Sequence, residues 1–118
     1  MLKQGRGWRL GWRADAPVYK GLVGAEDWAL ELTAEEMRDF CRLLRDIHQT
    51  VADISKHLMP EEAVVCEVES ELLWLGAEGY PDNYSLRIIL SQPRRGEGTW
   101  PPYAITELLQ ASQSLELF

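Results

Sequence analysis

The sequence predicts a single α+β domain: antiparallel strands in two groups, each followed by a helix, with the longer helix packed on the sheet. Three observations carry this. Short stretches alternate apolar and polar residues in the first third of the chain. The period then switches to three and four for one long uninterrupted stripe. Alternation resumes after Pro60. Strands bury every second residue and helices every third or fourth, so a switch of period marks a switch of element.

In the first group, Trp8, Leu10 and Trp12 point one way while Arg9, Gly11 and Arg13 point the other, the pattern of a half-buried strand over Gly7 to Arg13. Ala14 to Pro17 reads as a turn. Val18 to Val23 is a second strand, and Trp28, Leu30 and Leu32 mark a third. Three strands about ten residues apart suggest a meander.

The helix announces itself at Thr33-Ala34-Glu35-Glu36, a capping box in which hydroxyl and carboxylate satisfy N–H groups that have no helical partner. Leu32 and Met37 stand where a hydrophobic staple would. Apolar residues follow at 37, 40, 44, 47, 51, 54 and 58, predicting a helix from Ala34 to Leu58. The spacing is also heptad spacing. However, the flanks carry Cys41, Leu43 and His48 rather than the Lys and Glu of a partner-selecting coiled coil, so the stripe is wide and fits a sheet beneath it.

The second group begins with Ala63 to Ser70. Val64, Cys66 and Val68 lie on one face; Glu67, Glu69 and Glu71 lie on the other. The apolar run Leu72 to Leu75 predicts a central strand. Tyr80 to Asn83 is a turn, Tyr84 to Leu90 a further strand, and Pro93 to Gly98 a loop. Pro101 and Pro102 open a short helix through Leu108 and Leu109.

Composition narrows the function classes. A chain of 118 residues is one domain, residues 1–118, and 46% hydrophobic content with five Trp and four Tyr supplies a core without staples. Apolar runs fall short of the ~20 residues of a membrane helix. The polar, basic N-terminal segment is unlike a signal peptide, so a cytoplasmic protein with reduced Cys41 and Cys66 is expected. Net charge is −7, which disfavours nucleic acid as a partner. The charge is uneven: residues 1–20 hold five basic groups and one acid, residues 61–118 ten acids and three basic groups.

Each candidate site has a plainer alternative. Cys41 and His48, two helical turns and roughly 10.5 Å apart, are too distant to share a zinc ion. No metal site and no cofactor is expected. The three glutamates read as a solvated face that discourages edge pairing. Arg94 and Arg95, beside Gly96-Glu97-Gly98, are candidates for holding an anion, although Pro101 and Pro102 remove nearby N–H donors. Arg6, Arg9, Arg13 and Lys20 are candidates for binding single-stranded nucleic acid, since Gly-Trp-Arg occurs twice, at 7–9 and 11–13. Alternation nevertheless sets both Trp opposite the Arg, as core Trp and solvent Arg would be. With no catalytic motif, the chain is read as a non-enzymatic interaction or regulatory module, its partner another protein or further copies of itself. The alternative is a nucleic-acid-binding regulator.

Three strings carry a resemblance: Glu67-Val68-Glu69-Ser70-Glu71-Leu72-Leu73-Trp74-Leu75, Tyr84-Ser85-Leu86-Arg87, and Gly96-Glu97-Gly98-Thr99-Trp100-Pro101-Pro102. They resemble an uncharacterised family of small cyanobacterial proteins, nearly end to end. That resemblance implies a fold like the whirly-type regulators that bind single-stranded DNA. It brings no catalytic residues, and the Lys-rich DNA-binding motif of those regulators has no counterpart here.

Overall fold

The computed structural model describes residues 1–115. Two four-stranded antiparallel meanders are joined by a long helix and closed by a short one. The first sheet, A, comprises β1 (Leu2–Gly5), β2 (Trp8–Trp12), β3 (Gly21–Gly24) and β4 (Ala29–Leu32), paired in chain order. Helix α1 (Ala34–Ser55) leads to sheet B: β5 (Val64–Glu69), β6 (Leu73–Tyr80), β7 (Asn83–Leu90) and β8 (Glu97–Trp100), also in chain order. A 3₁₀ turn (Pro102–Ala104) runs into α2 (Ile105–Gln113). The α+β class and the element order agree with the sequence.

Several boundaries differ. Sheet A has four strands rather than three, because Leu2–Gly5 pairs with β2 across a tight turn. Gly7 makes that turn, at φ 81°, a backbone conformation few side chains tolerate. Val18 to Lys20 stay outside β3. Part of the expected loop 93–98 is strand β8, paired with β7 from Glu97 onward. Helix α1 ends at Ser55 rather than Leu58 and spans about 33 Å. Glu71 falls beyond the end of β5, so only Glu67 and Glu69 share its outer face.

Helix α1 follows its sequence signals. Thr33 N–H donates to Glu36 Oε1 at 2.8 Å, and Glu36 N–H donates to Thr33 Oγ1 at 3.2 Å, completing the capping box. Leu32 and Met37 are both fully buried, as a staple requires. Met37, Phe40, Leu44, Ile47 and Val51 form the buried stripe, widened by Leu43. Beneath it lie Leu73, Leu75, Leu86 and Ile88 of sheet B. The inner face of sheet A contributes Leu10 and Val23, which face each other in register.

The two sheets meet along β8. Its inward positions are Gly98 and Trp100, and Gly96 continues the row just before the strand. Leu30 of β4 lies over Gly96, and the Trp28 indole lies over Gly98; a Cβ at either glycine would overlap the ring or the leucine. Trp28 Nε1 donates to Thr99 O at 3.0 Å, and Trp100 Nε1 donates to Gly24 O at 2.8 Å. The two rings sit 4.8 Å apart at 60°, with Phe40 of α1 5.6 Å from Trp100. Each sheet thus gives an indole to a backbone carbonyl of the other.

Trp100 is fully buried. Replacing it with alanine removes apolar contact and leaves the Gly24 carbonyl without its donor. Trp100→Ala is expected to cost about 3–5 kcal/mol in urea unfolding. A loss below about 1 kcal/mol would show that the sheets are held elsewhere.

Candidate functional site

The candidate nucleic-acid residues are drawn into the fold rather than gathered into a groove. Arg9 Nε and Nη2 donate to Ala25 O and Trp28 O, each at 2.8 Å, so this guanidinium caps the β3–β4 turn instead of facing solvent. Lys20 Nζ donates to Ala14 O at 2.9 Å and Ala16 O at 2.6 Å, closing the 13–20 loop on itself. Arg6 stacks 4.3 Å over the Tyr103 ring. Arg13 lies beside Asp15 at 3.9 Å, both largely exposed. Trp8 is buried, its indole N–H directed to Glu107 at 3.3 Å.

The candidate anion residues also serve the fold. Arg94 Nε and Nη2 grip the two Glu36 oxygens at 3.2 and 3.1 Å, and Nη2 also donates to Glu31 O. Its guanidinium lies 4.6 Å over the Tyr19 ring. The anion it holds is the protein's own buried Glu36, already engaged in the capping box. One ion pair therefore ties the start of α1, the end of β4 and the β7–β8 loop. Arg95 is exposed and occupies a left-handed backbone position, φ 62°.

One cluster escaped the sequence reading because its members are far apart in the chain. His48 Nδ1 and Tyr84 Oη lie 3.0 Å apart where α1 crosses β7. They border a cavity of ≈ 210 Å³ that also meets Asp82 and Thr106. Burial, with Cys66 nearby adding to it, pushes the Tyr84 phenol up to about 12. Two turns earlier on the same face of α1, burial pushes the Cys41 thiol up to about 11, partly opposed by Arg45. Such a thiol is almost wholly protonated at neutral pH and a poor nucleophile.

The outer face of sheet A is different in kind. Across the four strands one row reads Leu2, Gly11, Leu22, Glu31. Gly11 has no side chain, so Leu2 and Leu22 stand apart like walls over a backbone floor. Met1, Trp12 and Tyr19 complete a cup of ≈ 310 Å³. Leu2 is 60% exposed and neighbouring Val18 56%. Of the eight exposed large hydrophobics among the described residues, Met1, Leu2 and Tyr19 line this cup and Val18 directly precedes Tyr19 in the chain. Apolar surface gathered in one concavity marks contact sites more often than scattered surface does.

Residues 3–115 match the family model described as Domain of unknown function (DUF1818). The chain belongs to this family. A solved structure similar to it is described as a protein with unknown function from the DUF155 family, from Prochlorococcus sp. NATL2A. It is 25% identical, aligned over 97% of each chain with a TM-score of 0.90. No curated protein matches. In this DUF1818 chain, no described helix is long and apolar enough to cross a membrane.

The Tyr84 proton makes a pH prediction. The phenol binds its proton more tightly folded than unfolded, where its value is near 10. Below pH 10 both states hold the proton. Between 10 and 12 only the unfolded chain releases it, so stability falls across that window. Denaturant midpoints measured from pH 9 to 12 should fall more steeply for the wild type than for Tyr84→Phe. Equal slopes would remove Tyr84 as the cause.

Proposed function

We propose that this chain is a non-catalytic, cytoplasmic protein-interaction module that docks a partner on the outer face of sheet A. The observation that carries this reading is the apolar cup over Gly11. Its walls combine Leu2, Leu22 and Tyr19, and an aromatic anchor in a concavity is a usual centre of a protein contact. The scaffold beneath is rigid: Leu10 and Val23 pin the opposite face of the same strands into the core.

The nucleic-acid alternative has weaker support. Stacking needs a ring free to meet a base beside a cation free to meet phosphate. Here Trp8 is buried, Arg9 and Lys20 are hydrogen-bonded to backbone carbonyls, and Arg6 covers a ring itself. The likeness to whirly-type regulators rests on the order of strands and helices, and shared order does not transfer function.

The test is site-specific photo-crosslinking inside the cell that makes the protein. A photoreactive residue replacing Val18 should yield protein adducts that disappear when Gly11→Leu fills the cup. A Cβ at Gly11 meets its nearest neighbours at 3.5 Å, ordinary contact, so that substitution should fold normally. If position 18 gives no more adducts than exposed Glu69 on sheet B, the interaction reading fails.

A further inference from the structure

We infer that the occupant of the cup is an acidic, apolar segment of a different protein: one or two large apolar side chains flanked by carboxylates. This rests on the interaction reading above and adds the chemistry of the partner. Shape comes first. The cup is a hollow, its floor the Gly11 backbone and its walls Leu2 and Leu22 on neighbouring strands. At ≈ 310 Å³ it lies at the small end of the ~300–1,000 Å³ typical of ligand sites. That suits inserted side chains rather than a flat surface.

Charge comes second. Arg13 and Lys20 line the cup against a single acid, Glu31. The Lys20 ammonium is held by two carbonyl oxygens, which fix its position without cancelling its charge. The Arg13 guanidinium has Asp15 at 3.9 Å with both side chains at least three-quarters exposed, a pair that water screens heavily. The rim is therefore cationic on a chain whose net charge is −7. Opposite charges across a contact steer encounter and reject wrong partners. An aliphatic or aromatic anchor with adjacent Asp or Glu satisfies floor and rim together.

The same two features argue against a second copy placed face to face. Two such cups would meet hollow against hollow, with Arg13 and Lys20 facing their counterparts. A symmetric contact requires a self-complementary patch, and this one lacks a convex feature to fill its own concavity.

The probe is a displayed library of random linear peptides, selected on the wild-type protein and counter-selected on Gly11→Leu. The expected result is enrichment of peptides pairing Leu, Phe or Trp with Asp or Glu. Their affinity should drop about tenfold for Arg13→Glu at low salt, with the difference disappearing near 1 M salt, where screening shortens to roughly 3 Å. Enrichment of basic or uncharged peptides at the cup would overturn the inferred chemistry while leaving the interaction reading intact. Crosslinked adducts consisting of a second copy of this chain would overturn it too, as would foreign adducts without any enriched peptide. Absence of both peptides and adducts would bring down the interaction reading itself.

Discussion

Two sheets that share no strand must be held by side chains, and here the holding is done by an exchange of indoles. Trp28 reaches from sheet A to Thr99 O, and Trp100 reaches from sheet B to Gly24 O. The buried Trp100 N–H would carry a desolvation cost if left unmatched, while the Trp28 bond closes the same joint at its solvent edge. Each is matched only when the sheets are in one relative position. Gly96 and Gly98 make that position possible by leaving room for Leu30 and Trp28. The Arg94–Glu36 pair secures the same corner from α1, and breaking it would strand a buried carboxylate.

This joint decides what remains available at the surface. The inner face of sheet A is used up against α1 and β8. The cations near it are used to shape loops: Arg9 closes the β3–β4 turn, and Lys20 closes the 13–20 loop. That second loop carries Val18 and Tyr19 to the edge of the outer face, where Gly11 leaves its hollow. The candidate surface is thus what the packing leaves free, and it sits on strands that the core immobilises from behind. Preorganised walls reduce the ordering cost of binding.

Legibility in the sequence followed the range of the interaction. The α1 signals are local, a box four residues long and a stripe of fixed period, and they were readable to within three residues at the far end. Strand β1 was invisible because Leu2-Lys3-Gln4-Gly5 has no alternation of its own; it is a strand by virtue of pairing with β2. Strand β8 is hidden in the sequence because Gly98, and Gly96 before it, carry no side chain to show which way they face. The Arg-Arg-Gly-Glu-Gly string looked like a cradle for an anion, while the structure uses its glycines as sockets for Leu30 and Trp28 and its first arginine as a clamp. The cup needed the cross-strand register of Leu2, Gly11 and Leu22, which depends on loop lengths that no periodicity reveals. In sequence Gly11 is simply the first residue of the second Gly-Trp-Arg.

If the indole exchange unites the molecule, weakening it must be felt in both sheets at once. Native-state amide hydrogen exchange on Trp28→Phe reads this directly, because the ring remains apolar while the donor to Thr99 O is gone. The account predicts that the slowest amides of β2 and β3 and those of β6 and β7 lose protection together, by the same factor, as one cooperative unit does. Loss confined to sheet A, with β6 and β7 unchanged, would contradict it and make the two sheets independent.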